Sequence, residues 1–92
     1  MTHDHLIAIL KASRATLDKQ TWTMPDGSTL TLYLAHDGVS LTMNRVSSLR
    51  LDGEEIYART AKSELFSFSR DDLFAVALEG EVGLSTRRAG FG

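Results

Sequence analysis

Three Asp-Gly dipeptides, at residues 26–27, 37–38 and 52–53, do most to restrict what this chain can become. Each is flanked by segments in which apolar and polar residues alternate, and Asp-Gly between alternating runs is a strong short-range signal for a β-hairpin. Because side chains alternate faces along a strand, a slip of one residue would turn every apolar side chain to the wrong side, so each turn can be tested against its flanks. A two-residue loop at Asp37-Gly38 places Leu34 opposite Leu41 and Leu32 opposite Met43. One at Asp52-Gly53 places Leu49 opposite Ile56 and Arg50 opposite Glu55, where opposite charges attract. At Pro25-Asp26-Gly27 the sequence favours a three-residue loop with Gly27 in the left-handed region, and Trp22 then faces Leu30.

The period is different before Gln20. Residues 2–19 read as one amphipathic helix, with Leu6, Ile9, Leu10, Ser13 and Leu17 in one stripe, Thr2 as N-cap and Asp4 near the positive end of the dipole. This helix is expected to cover the face formed by Trp22, Leu30, Leu32, Leu34, Leu41 and Met43. Further on, Glu64 to Ser69 alternates with Phe66 and Phe68 inward. Residues 73–78 (LFAVAL) are wholly apolar; with no polar face for a surface helix, and with Phe74, Val76 and Leu78 alternating with alanines, a strand is favoured. Ser69-Arg70-Asp71-Asp72 has the pattern of a helix N-cap, and Gly80 would suit the end of a helix if 73–78 were one. The expected fold is α+β: an N-terminal amphipathic helix packed on an antiparallel meander of five to six strands, which can curl into a partly open barrel. Residues 1–80 form the expected domain, and residues 81–92 a flexible C-terminal tail.

Composition narrows function mainly by exclusion. The 92 residues include no cysteine, which removes disulfides, thiolate nucleophiles and cysteine-ligated metals. A formal charge of -2 supplies no general attraction to nucleic acid or to anionic lipid. The N-terminal segment lacks a basic and long apolar signal pattern, and no apolar run approaches the roughly 18 residues of a membrane span. The expectation is a cytoplasmic protein without membrane partners. At this length burial only just offsets conformational entropy, so a homodimer would be a natural source of stability.

Residues 18–46 (DKQTWTMPDGSTLTLYLAHDGVSLTMNRV), with YARTAKSELFSFSRDDLFAVALEG and the closing RRAGFG, resemble a group of short conserved hypothetical proteins of proteobacteria that have no assigned function. The resemblance implies a bacterial cytosolic protein and carries no catalytic or ligand-binding residue.

Chemistry is sparse in the remaining polar residues. His3 and His5 are two apart, about 200° around a helix, so they do not share a face as metal ligands would. His36-Asp37 resembles a base with its orienting acid, yet Asp37 is what the hairpin turn demands and no serine lies in a nucleophile elbow. Glu54 and Glu55 point to opposite faces of a strand, and Asp71-Asp72 suits a cap. No phosphate-binding glycine loop occurs. No catalytic residue, cofactor or metal ligand is therefore assigned. The candidate interaction face is the outward side of the sheet, where Tyr33, Arg50, Tyr57 and Arg59 stand among Thr29, Thr31, Ser40, Thr42, Asn44 and Glu55; Tyr and Arg are favoured at recognition surfaces. Arg87, Arg88 and Phe91 make a candidate docking tail. These features point to a non-enzymatic protein-interaction module. The alternative is a single-stranded nucleic-acid binder stacking bases on the Tyr/Arg face.

Overall fold

A computed structural model describes residues 1–80. The elements run α1 (His3–Ala12), β1 (Thr16–Asp18), β2 (Thr21–Thr23), β3 (Ser28–His36), β4 (Val39–Asp52), β5 (Glu55–Thr60), β6 (Leu65–Ser69), a single 3₁₀ turn (Arg70–Asp72) and β7 (Leu73–Gly80). The architecture is the expected α+β one: an N-terminal helix on an antiparallel meander whose sheet curls into a half-barrel. The meander β3 to β6 pairs in sequence order, and β7 returns to pair with the outer edge of β3. Arg87, Arg88 and Phe91 lie outside the described residues.

The helix begins as its sequence dictates. The Thr2 side chain accepts a hydrogen bond from the His5 amide (3.2 Å), and Asp4 sits in the first turn. It ends at Ala12, seven residues before the expected end at Lys19. Arg14 adopts φ +65°, its amide donates to Lys11 O and the Ala15 amide donates to Leu10 O. That pair of bonds is a Schellman closure with arginine where glycine is usual. Nothing in the residue types announces it, which is why the apolar stripe overran. Leu17 consequently belongs to β1 and is 51% exposed.

The Asp37-Gly38 turn has both residues at positive φ (+50° and +81°), and the expected pairs Leu34 with Leu41 and Leu32 with Met43 form. The other two turns differ in detail. At the third, Gly53 (φ +62°) and Glu54 make the loop, so Asp52 stays in the strand and faces Glu55. Leu51 rather than Leu49 then faces Ile56, and Arg50 faces Tyr57 rather than Glu55; the faces are as expected but the register moves by one pair. The first turn is no hairpin at all. β2 and β3 both run antiparallel to β4, end to end along one edge of it, and Trp22 faces Leu49 and Leu17 instead of Leu30. The Met24 amide still reaches Ser47 O, Pro25 has no N–H to continue the ladder, and a tight turn closed by Ser28 N to Pro25 O (3.1 Å) returns the chain to the same edge. Gly27 does take positive φ (+86°), as the turn chemistry required.

Leu73–Gly80 is a strand. Its Leu73, Val76 and Leu78 pair with Leu34, Leu32 and Leu30, and a register shift between Tyr33 and Leu34 leaves Phe74 as the extra residue. That bulge sends Phe74 outward, 61% exposed, against the Tyr33 ring at 6.3 Å, although its parity matches Val76 and Leu78. Ser69 caps the 3₁₀ turn as its sequence predicted, accepting from the Asp71 amide.

The core fills the concave side: Leu6 and Leu10 from α1 pack among Trp22, Leu30, Leu32, Val46, Leu49, Ile56 and Leu73. Full burial of a leucine contributes about 1.5–3 kcal/mol, so the two helix leucines hold α1 in place. Leu41, expected under the helix, is 56% exposed, because it lies at the end of the half-barrel where neither α1 nor β5 reaches.

Two backbone positions generate predictions. Arg14→Gly should raise unfolding stability by about 1 kcal/mol in urea titrations, since it removes the left-handed cost of a residue with a Cβ. At Gly80 (φ +134°) an added Cβ would lie 2.3 Å from Gly27 O and 2.6 Å from Ser28 Cα, both backbone. Gly80→Ala should therefore destabilise by more than about 1 kcal/mol, with the largest amide shifts at Gly27 and Ser28.

Candidate functional site

The outward Tyr/Arg face exists, but the sheet breaks it into two. Arg50 and Tyr57 are direct cross-strand neighbours, and Arg59 faces Ser48 two pairs further along the same ladder. The Arg50 guanidinium lies over the Tyr57 ring, 4.2 Å from its centroid, and reaches Asp52 at 3.6 Å. With Thr21, Ser48 and Leu65 these residues surround a shallow depression of about 160 Å³. Tyr33 stands elsewhere. It faces Thr42 on β4 and Ala75 on β7, and Thr42 is eight residues from Arg50, some 26 Å along an extended strand. Two register shifts in β4, one in its pairing with β3 between Met43 and Val46 and one in its pairing with β5 between Val46 and Ser48, bend the strand between these points. The two tyrosines form no common platform.

His36 is held by two carboxylates: Nδ1 is 2.9 Å from Asp72 Oδ1 and Nε2 is 3.3 Å from Asp37 Oδ2. The pair expected from sequence, His36 with Asp37, is thus joined by Asp72 across the sheet, and the group ties the β3–β4 turn to the 3₁₀ turn. His3 and His5 lie exposed in the first turn of α1. Among the described residues, no group of three or more His, Asp or Glu is arranged to hold a metal ion.

Among the described residues, the first half of β4 has a free edge that no local residue pattern marks. β4 is 14 residues long, and β5 pairs with it only from Val46 to Asp52. The last bond on that side before the chain turns away is Ala61 N to Arg45 O, 2.8 Å. Beyond it the turn after β5 is closed locally: Thr60 Oγ1 accepts from the Lys62 and Glu64 amides, and the Thr60 amide donates to Glu64 O. Among the described residues nothing pairs with the second edge of β4 from Val39 to Asn44. His36 and Val39 close a two-residue turn and so exchange ladder bonds with each other, which turns the N–H and C=O of Ser40 and Thr42 towards the open side. Beside this edge is a hollow of about 320 Å³ bounded by Leu41, Met43, Arg45, Lys62, Glu64 and Phe66. Phe66 shares the concave face with Ala58, as its alternation predicted, yet is 39% exposed because it borders the hollow.

The sequence of the edge, Val-Ser-Leu-Thr-Met-Asn, contains no charge and no proline. Sheet edges in soluble proteins are commonly blunted by one or the other. Val39 is 68% and Leu41 56% exposed there.

Comparison with protein-family models, with curated proteins and with solved structures found no match. No helix among the described residues is long and apolar enough to cross a membrane.

If the His36 group is structural, His36→Ala should lower unfolding stability by no more than about 1 kcal/mol, the range for an exposed ion pair, with amide shifts confined to the β3–β4 turn and residues 70–72. A change at the far end of the half-barrel would contradict that assignment.

Proposed function

We propose that the chain is a cytoplasmic, non-enzymatic protein-interaction module that binds an extended segment along the free edge of β4. The observation that carries this reading is the unpaired, uncharged edge Val39–Asn44 with the hollow beside it. Edge addition draws affinity from main-chain hydrogen bonds and selectivity from side chains on alternate positions. Here Ser40 and Thr42 offer the main-chain groups, while Leu41, Met43 and Phe66 offer an apolar surface on one side of the added strand. The conspicuous polar groups have structural partners that support a non-enzymatic role: His36 binds two carboxylates, Ser69 caps a turn, and Thr60 and Glu64 close another.

The stacking surface for single-stranded nucleic acid has less support. Tyr33 and Tyr57 are widely separated, and Arg50 already covers one face of Tyr57.

Ser40→Pro tests the reading, because it removes an outward-facing N–H without breaking a bond to β3. Wild-type protein immobilised on a surface should retain partners from cell lysate that the Ser40→Pro protein, shown folded by circular dichroism, loses. Equal retention by both proteins would count decisively against edge binding.

A further inference from the structure

We infer that the segment received by the β4 edge is the same edge of a second copy of this chain, paired antiparallel about a two-fold axis at Leu41. The inference rests on the interaction-module reading and specifies its partner.

The length of the edge selects the register. It is bounded at one end by the turn at Asp37-Gly38 and at the other by Arg45, whose carbonyl is already bonded by Ala61. Residues 37 and 45 are equidistant from Leu41. Only pairing Leu41 with Leu41 of the second copy uses the whole edge of both chains, and an isologous contact must be self-complementary in this way. The side chains then match. Val39 faces Met43 of the other copy and Leu41 faces itself, all on the face that carries the hollow, whose apolar lining is Leu41, Met43 and Phe66. On the opposite face Ser40 meets Thr42. At both ends Asp37 meets Arg45 of the other copy, so two opposite-charge pairs close the ladder. Asp37 contacts His36 Nε2 through Oδ2 alone (3.3 Å) and has a side chain 88% exposed, and Arg45 is exposed with no acid paired to it among the described residues. Moving the register by one pair in either direction breaks both ion pairs and shortens the ladder.

The backbone agrees with the side chains. Ser40 and Thr42 direct their N–H and C=O outward, so Ser40 of each copy exchanges both bonds with Thr42 of the other. Leu41 falls at a non-hydrogen-bonded position, where facing Cα atoms approach to about 4.5 Å, within the span of a disulfide.

The chain has no cysteine, so cross-linking can be read without background. Leu41→Cys, air-oxidised at micromolar concentration, should run as a disulfide-linked dimer. Val39→Cys should remain largely monomeric although Val39 is the more exposed, because the two positions 39 would lie about 13 Å apart along the ladder. Leu41→Lys, a change at an exposed site, should abolish the concentration-dependent doubling of mass that the wild type shows in sedimentation equilibrium. Cross-linking of position 39 equal to that of position 41, or a wild-type mass that stays monomeric up to millimolar concentration, overturns the inference. A synthetic peptide of residues 37–45 added to labelled protein separates this failure from that of the wider reading. If the full chain is monomeric while the peptide shifts the amides of residues 39–44, edge binding stands and the second copy is wrong; if neither occurs, both are wrong.

Discussion

The structure depends on how long β4 holds a straight ladder. Its 14 residues pair with β3, then with β2 on the same edge, and with β5 on the other, so among the described residues it is the only strand that touches three others. Two register shifts interrupt it within a few residues, and Arg45 takes φ +59° within the first. A bulge inserts a residue on one strand, bends it and strengthens the local twist. The first shift turns Val46 inward onto the core; the second, after Ser47, returns Ser48 and Arg50 to the outside while Leu49 stays in. Without them β3 and β5 would extend as a flat sheet too open for α1 to cover. With them the sheet curls about Leu6 and Leu10, and both leucines are fully buried.

The same bend explains what could and could not be seen in the residues. Alternation and Asp-Gly turns are local signals, so strand identity, inward faces and the β3–β4 register were legible, down to the pairing of Leu32 with Met43. A turn that reverses the chain and one that only jogs it use the same chemistry, however. Pro25-Asp26-Gly27 has the residues of a hairpin loop, and the edge of β4, a distant segment, decides that β2 and β3 lie end to end. The end of α1 was hidden for a different reason: the left-handed residue is Arg14, and the signal a reader relies on is glycine. The bulge at Phe74 likewise reverses a parity that the sequence displays.

The Tyr/Arg face shows the limit of reading a surface from parity alone. Register places Tyr33, Arg50, Tyr57 and Arg59 on one side of the sheet, but parity says nothing of distance along a strand. A recognition cluster needs both. Arg50, Tyr57 and Arg59 satisfy both because they sit on two neighbouring strands within three ladder positions; Tyr33 satisfies only the first. An unpaired strand edge is less legible still. Val39–Asn44 has the composition of any interior strand, and its exposure follows from where β5 stops, which is set by the Thr60–Glu64 turn.

Among the described residues β1 has three residues and β6 has five, which limits how far an incoming strand could pair there. The outer edge of β7 is longer, with the N-terminal ammonium bonded to Leu73 O at its start (2.9 Å), but it lacks a hollow like the one beside the β4 edge. The β4 edge is also where the core is least complete, since Leu41 and Phe66 border the hollow instead of a packed neighbour. A chain this small has little burial to spare, and an apolar end left open on a strand with outward-facing donors and acceptors joins two features at one place: exposed hydrocarbon and a backbone edge paired only with solvent. One added strand removes both, because its backbone completes the ladder while its inward side chains enter the space that β5 leaves. That coincidence makes the open edge, more than the Tyr/Arg face, the feature on which a functional account of this fold turns.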